Sequence, residues 1–369
     1  MTITTTTPSN EVQRRDALAE RMFTGLLESM ELVSVHLGVE LGLYASLHTD
    51  GPATAAELSD RAGIHPRYAL EWLEQQAAAG VLDVADQHVE PDRRRFTLPG
   101  GHAEALLDPD SPAAVAAVAR PLIGIVTVLD ATASAFRSGG GVPYADFGSD
   151  MRHGIAAMNR PGFVSGIGDW LAAAPGVEPR LRSRPAPRIL DVGCGAGWSS
   201  IALARAVPHA RVHGIDLDPA SVADAARNAE AAGVGDRVTF EVRDAVDAEP
   251  DGEGYDLVCV FEALHDMAHP VRALAALRSV LADGGTVLIG DERVTDTFTA
   301  PADFNDRFMY AFSVTHCLPA TMAEHPTVAT GTVLRPDTLR DYATSAGFTT
   351  VHELPVEHDF WRFYHLGGR

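Results

Sequence analysis

The chain contains no lysine: its 29 basic side chains are all arginine, set against 50 aspartates and glutamates. Schiff-base and phosphate-loop lysine chemistry are therefore excluded. The net charge of −21 opposes binding to a polyanion, so no nucleic-acid partner is expected. Cysteine is scarce. Cys194, Cys259 and Cys317 lie far apart with no C-x-x-C pair, which indicates neither a disulfide framework nor a structural zinc site and fits a reducing cytoplasm. Long apolar runs are missing too; none approaches the roughly 18 residues that mark a membrane span. The opening MTITTTTPSN lacks the basic and apolar regions of a secretory signal, and residues 1–10 read as a disordered lead-in. What is present, 46% hydrophobic and 21% charged residues over 369 positions, is ordinary for a globular protein of two or three folding units.

Between Glu11 and Leu47, Leu18, Met22, Leu26, Leu27, Met30, Val33 and Leu37 recur at helical spacing. TAAELSDRAG and IHPRYALEWLEQQAAAG follow as helix, turn and helix, then VLDVADQHV and RRRFTL as a short hairpin. That is the outline of a winged helix over 11–105. Its second helix sets only Arg67 against Glu71 and Glu74, a charge that repels phosphates, so dimerisation is favoured over DNA reading. The apolar spacing of the first helix exceeds what so small a module covers, and a homodimer is expected. Residues 106–184 read as a helical, loop-rich connector contributing to a substrate pocket, with EPRLRSRPAPR (178–188) as a linker. Over 185–369, short apolar runs (RILDV, RVHGID, VTFEVRD, YDLVCVF, GTVLIGDERV) alternate with helical patterns, which indicates an open α/β sheet. TTVHELPV and DFWRFYHL read as an antiparallel pair closing its edge.

ILDVGCGAG (189–197) is a strand ending in Asp191 and Val192, followed by Gly193, Gly195 and Gly197. Glycines here let the backbone turn sharply and approach a ligand at the start of a helix. A dinucleotide fold wants G-x-G-x-x-G, but position 198 is Trp, and Asp191 would repel a pyrophosphate. The next strand ends in Asp216, where an acid can grip both hydroxyls of a ribose, and the third in Asp244, which can accept from an adenine amine.

This combination resembles the Rossmann-like S-adenosylmethionine-dependent methyltransferases. With the winged helix, the whole chain is similar to their small-molecule members from plant and actinobacterial secondary metabolism. The resemblance implies a seven-stranded, mostly parallel sheet with one antiparallel edge strand, a winged-helix homodimer, and S-adenosyl-L-methionine as cofactor. It implies cofactor contacts from Asp191, Gly193, Cys194, Gly195, Asp216, Leu217, Asp244, Ala245 and Phe261. Of these, the 193–197 loop would pass the methionine, Asp216 hold the ribose, Leu217 pack on the adenine, Asp244 face its amine, and Phe261 line the pocket.

In this fold the strand YDLVCVF ends beside the donor methyl group, so the following ALHD places His265 and Asp266 at the reaction centre. Three readings stay open. In the first, the histidine satisfies backbone groups and the aspartate caps the next helix; His269, before Pro270, is read as a turn residue. In the second, by resemblance to plant phenolic O-methyltransferases, His265 is a general base oriented by Asp291, with Glu292 adjacent. The third, preferred, reading adds His316 in SVTHCLP to make a 2-His-1-carboxylate set of His265, Asp266 and His316. A similar set occurs in actinobacterial methyltransferases that alkylate the β-carbon of α-keto acids, where a divalent or ferric ion acts as Lewis acid. Candidate carboxylate partners are Arg120, Arg137, Arg160 and Arg307. A non-enzymatic alternative, an S-adenosylmethionine-sensing regulator, is disfavoured by the acidic second helix of the winged-helix motif.

Overall fold

The computed structural model describes residues 10–250 and 252–368 and divides into two compact units, Met1–Arg120 and Pro121–Arg369. The expected lead-in, apart from Asn10, lies outside the described residues.

In the first unit, the long apolar pattern forms helix α1 (Asn10–Glu40) and then breaks before a second helix, Leu43–Thr49. The break falls at Gly42, whose φ of 67° lies in the left-handed region that glycine adopts without penalty. Helices Ala55–Ala62 and Pro66–Ala78 follow, the first opened by a reciprocal Thr54–Glu57 cap. Strands β1 (Asp83–Val84) and β2 (Phe96–Thr97) pair antiparallel as the wing. Leu43, Tyr44, Leu58, Leu73 and Phe96 form the core beneath them. By contrast, α1 leaves Leu18, Met22, Phe23, Leu26, Leu27, Met30 and Leu37 exposed, Phe23 by 75%.

The second unit is built on a sheet of seven strands: β3 (Arg188–Val192), β4 (Arg211–Asp216), β5 (Val238–Val242), β6 (Tyr255–Phe261), β7 (Leu281–Glu292), β8 (Thr350–Glu353) and β9 (Trp361–Gly367). Their order is β5-β4-β3-β6-β7-β9-β8. The pairs from β5 to β7 are parallel, and β9 runs antiparallel to both β7 and β8. The one antiparallel strand thus stands a place in from the edge, because β9 inserts between β7 and β8. Apolar layers cover both faces, one around Ile189, Leu203 and Leu257, the other around Leu190, Val258 and Leu274. The strand order reverses between β3 and β6, and the loops after their C-terminal ends therefore border one crevice. Part of the expected linker is instead a helix, Val177–Ser183. Val177 and Leu181, four positions apart, share a face and are buried, which offsets the unfavourable Pro/Arg composition. Among the described residues no single helix is long and apolar enough to cross a membrane.

Candidate active site

The glycine loop after β3 has φ of 68°, 50° and 81° at Gly193, Gly195 and Gly197, values an L side chain seldom adopts. A Cβ on Gly193 would sit 2.4 Å from that of Ala263, whereas one on Gly195 would meet open space. The loop is therefore packed against the β6 loop on one side and accessible on the other, as a cradle for a ligand must be. Asp216 at the end of β4 accepts from the backbone N–H of Gly195 (2.8 Å) and of Asp218 (2.9 Å), so it fixes the loop it was expected to assist. Burial raises its pKa, against those backbone bonds. Leu217 is half exposed. Asp244 accepts from Val246 N–H (3.0 Å) and Ala245 is buried beside it. Asp191 turns inward: its Oδ2 accepts from Ser199 (2.6 Å) and Ser200 (2.5 Å), and burial pushes its pKa up to about 6. Cys194 is buried, its thiol raised by burial well above the ordinary value. Phe261 packs among Phe163, Trp170 and Trp361, with ring centroids 5.8 Å from Phe163 and 5.6 Å from Trp170.

Beyond β6 the chain makes a single turn, Leu264–Asp266, that buries His265. Its Nδ1 lies 2.8 Å from Asp291 Oδ1 at the end of β7, and its Nε2 lies 3.6 Å from Asp266 Oδ1. Adjacent parallel strands bring these residues together: Phe261 is in register with Gly290, so the residues that follow each strand share one end of the sheet. Burial lowers the His265 pKa, but the charges of Asp291 and Asp266 and the Asp291 hydrogen bond outweigh it and hold the imidazole well above its ordinary value. His269 is the turn residue before helix Pro270–Ser279, as expected.

His316 lies in a wide π-helical turn, Ser313–Cys317, a local irregularity often found at functional sites. Its ring meets Phe147 (4.7 Å between centroids) and Tyr144 (5.7 Å) edge to face, its Nδ1 faces Cys317 Sγ at 3.4 Å, and its Nε2 is buried without a partner. Burial lowers its pKa. Among the described residues, the ligand atoms that converge within 4.8 Å of one another belong to His265, Asp266 and Cys317. The expected third member, His316, is not in that group; it packs against the Phe147 and Tyr144 rings, and its neighbour Cys317 belongs to the group.

Two further groups escaped the sequence reading, and a third was named there only as the neighbour of Asp291. Tyr144 lies against the His316 ring, its phenol held protonated first by burial and then by the carboxylates of Asp216, Asp218 and Asp266. Glu262 follows β6 with a φ of 55°, and burial, then Glu292 and Asp291, raise its pKa well above the ordinary value. Glu292, at the end of β7, is buried and pushed up to about 7, first by burial. The one available signal was a charged residue directly behind the buried β6 run.

Residues 183–335 match the family described as methyltransferase domain, and 29–107 match the Rv2258c-like winged HTH domain. The 3-hydroxy-5-methyl-1-naphthoate 3-O-methyltransferase of Streptomyces sahachiroi is 30% identical over 286 residues, 76% of this chain and 78% of that protein. The chain belongs to the class I S-adenosylmethionine-dependent methyltransferases with a winged-helix domain. Other curated relatives of this methyltransferase are matched over shorter stretches. The 27-O-demethylrifamycin SV methyltransferase of Amycolatopsis mediterranei, for example, is 35% identical over 111 residues, 40% of its length and 30% of this chain. Two more are matched over 25% and 28% of theirs. Among solved structures, the mitomycin 7-O-methyltransferase shares the fold with a TM-score of 0.69 at 20% identity, over 96% of this chain and 99% of that one. Human N-acetylserotonin methyltransferase, solved with S-adenosylmethionine, gives 0.66 at 16% identity over 98% and 99%.

Proposed function

We propose that this methyltransferase methylates a hydroxyl oxygen of a small, largely apolar acceptor, with His265 as general base and Asp291 as its orienting partner. The 2.8 Å contact between His265 Nδ1 and Asp291 Oδ1, with both residues almost fully buried, carries this reading. Nδ1–H donates to the carboxylate, which fixes the ring and leaves Nε2 to take the acceptor's proton. The oxygen lone pair then attacks the methyl carbon as the carbon–sulfur bond breaks toward sulfur. S-adenosylmethionine, when bound, supplies that methyl already activated as a sulfonium. The chain's work is to position the acceptor in line, exclude water and remove one proton. Tyr144 and Phe147 close the site from the His316 side. The test is incubation with a panel of hydroxylated aromatics, with the methyl position read by NMR. Failure of every hydroxyl to react, or full activity in His265→Ala, overturns the reading.

A second reading, metal-assisted C-methylation at the β-carbon of an α-keto acid, rests on the convergence of His265, Asp266 and Cys317. Those residues would hold a divalent or ferric ion, which would polarise the keto oxygen as a Lewis acid. Loss of turnover with chelators, and β-carbon deuterium exchange in an α-keto acid, would favour it over the first. The exposed apolar stripe of α1 supports a homodimer in which a second copy covers it.

A further inference from the structure

The antiparallel strands at the end of the sheet set two histidines opposite each other. His352 of β8 is in register with His365 of β9, and His365 in turn with Leu288 of β7. Opposed residues of an antiparallel pair project to one face with Cβ atoms about 4.5–5.5 Å apart, near enough for two imidazoles to reach one point. That face carries Leu288, Leu354 and Phe363, which belong to one apolar layer.

His365 is only 6% exposed, yet neither of its ring nitrogens has a hydrogen-bond partner. A neutral imidazole has one nitrogen to donate and one to accept, so leaving both idle in a buried place is costly. Two residues on, and on the same face, Gly367 supplies no side chain. A Cβ there would lie 3.0 Å from Thr350 Oγ1, so the Thr350 hydroxyl leans over this gap. From the other side comes Thr286, the residue before Val287, which pairs with Leu366. Its hydroxyl is buried without a partner as well. Unsatisfied polar atoms gathered around a gap between side chains mark a place for a ligand.

The ligand's class follows from the donors. Burial, and then the charge of His352, lower the His365 pKa, so near pH 7 the ring is neutral, the form that binds a metal. Among the described residues no carboxylate, thiol or third histidine completes a three-ligand group with the pair. Magnesium and calcium, which need oxygen ligands, are therefore not held there. Imidazole nitrogens suit the later first-row ions instead.

We infer that His352 and His365 together chelate a late first-row divalent cation, Zn2+, Ni2+ or Cu2+, at the edge of the sheet. Water fills its remaining positions, and the Thr286 and Thr350 hydroxyls hydrogen-bond to that water. The ion ties edge strand β8 to β9. It is a bracing site apart from the methyl-transfer centre, since Leu288 stands three residues before Asp291 on β7 and none of His265, Asp266 or Cys317 takes part. The inference is independent of which atom of the acceptor is methylated.

The test titrates Ni2+ calorimetrically into tag-free full-length protein stripped of metal, and follows Tm and the near-ultraviolet spectrum. One ion per chain is expected, with no thiolate charge-transfer band and a rise in Tm of roughly 2–3 °C at about tenfold excess over Kd. His352→Gln, at an exposed position, should weaken binding at least roughly 10-fold and remove the rise in Tm, with affinity for S-adenosylhomocysteine unchanged. His352→Cys, which restores a ligand atom, should bind Ni2+ again and now show the thiolate band. Unchanged binding in His352→Gln overturns the inference. So does a thiolate band in wild type that disappears in Cys317→Ser, which places the ion at the other group. Absence of Ni2+ binding below millimolar concentration overturns it outright.

Discussion

Replacing Asp291 by Asn removes one charge from the pair that defines the candidate base and little else. The amide oxygen can still accept from His265 Nδ1 across the 2.8 Å contact, so the ring need not move. What is lost is the difference between a charge-assisted and a neutral hydrogen bond in a buried site, roughly 1–1.5 kcal/mol. That charge is part of what raises the His265 pKa, so removing it lowers that pKa. The sign follows from the charge: Asp291 favours imidazolium and raises the pKa, so the rate climbs as pH rises through it. In Asp291→Asn that inflection must move to lower pH. The imidazolium formed during transfer is also no longer stabilised, and kcat should fall roughly 10²–10⁴-fold. Initial rates of S-adenosylhomocysteine release across about pH 5.5–9.5 measure both, with calorimetric affinity for S-adenosylhomocysteine as the control. A kcat within about threefold of wild type and an unmoved inflection would refute the dyad.

Other outcomes test other parts of the molecule. Asp216→Ala removes the acceptor that fixes Gly195 and Asp218, and S-adenosylhomocysteine should bind at least roughly 10-fold more weakly by calorimetry. Phe23→Glu with Leu27→Glu places charges in the exposed stripe of α1, and light scattering should find a monomer where wild type is a dimer; a wild-type monomer refutes the α1 interface. Asp191 is raised from 3.8 to about 6, so its protonated form favours the fold below about pH 4 and that contribution is lost as pH rises through about 6, on the order of 3 kcal/mol. Asp191→Asn should therefore flatten the dependence of Tm on pH over that window in scanning calorimetry, and a curve parallel to wild type would reject the assignment.

Much of the fold was legible because its signals are local. The apolar runs of β3, β4 and β6 are short and bounded, and glycines at 193, 195 and 197 can be read without knowing their neighbours. The pairing of His265 with Asp291 was expected from the resemblance to plant phenolic O-methyltransferases, and adjacent parallel strands bring the two residues together. Residues 177–183 were misread because two apolar side chains carry a helix that Pro and Arg disguise. That Cys317 joins the converging group with His265 and Asp266 depends on side-chain placement within a π-helical turn, and periodicity does not encode that. Glu262 and Tyr144 take their meaning from groups far along the chain. No spacing rule reaches them.

The insertion of β9 between β7 and β8 has a consequence for synthesis. Until residues 361–367 are available, β7 presents an open edge carrying Val287, Leu288 and Ile289, and β8 has no partner at all. The end of β7 that carries Asp291, with Asp291 paired to Arg362 and Glu292 to Trp361 in register, is therefore braced by the strand of this sheet that is made last. A nascent chain halted before that point carries an exposed apolar strand edge, the kind of template that recruits other chains. The candidate site is thus fully braced only once β9 has paired.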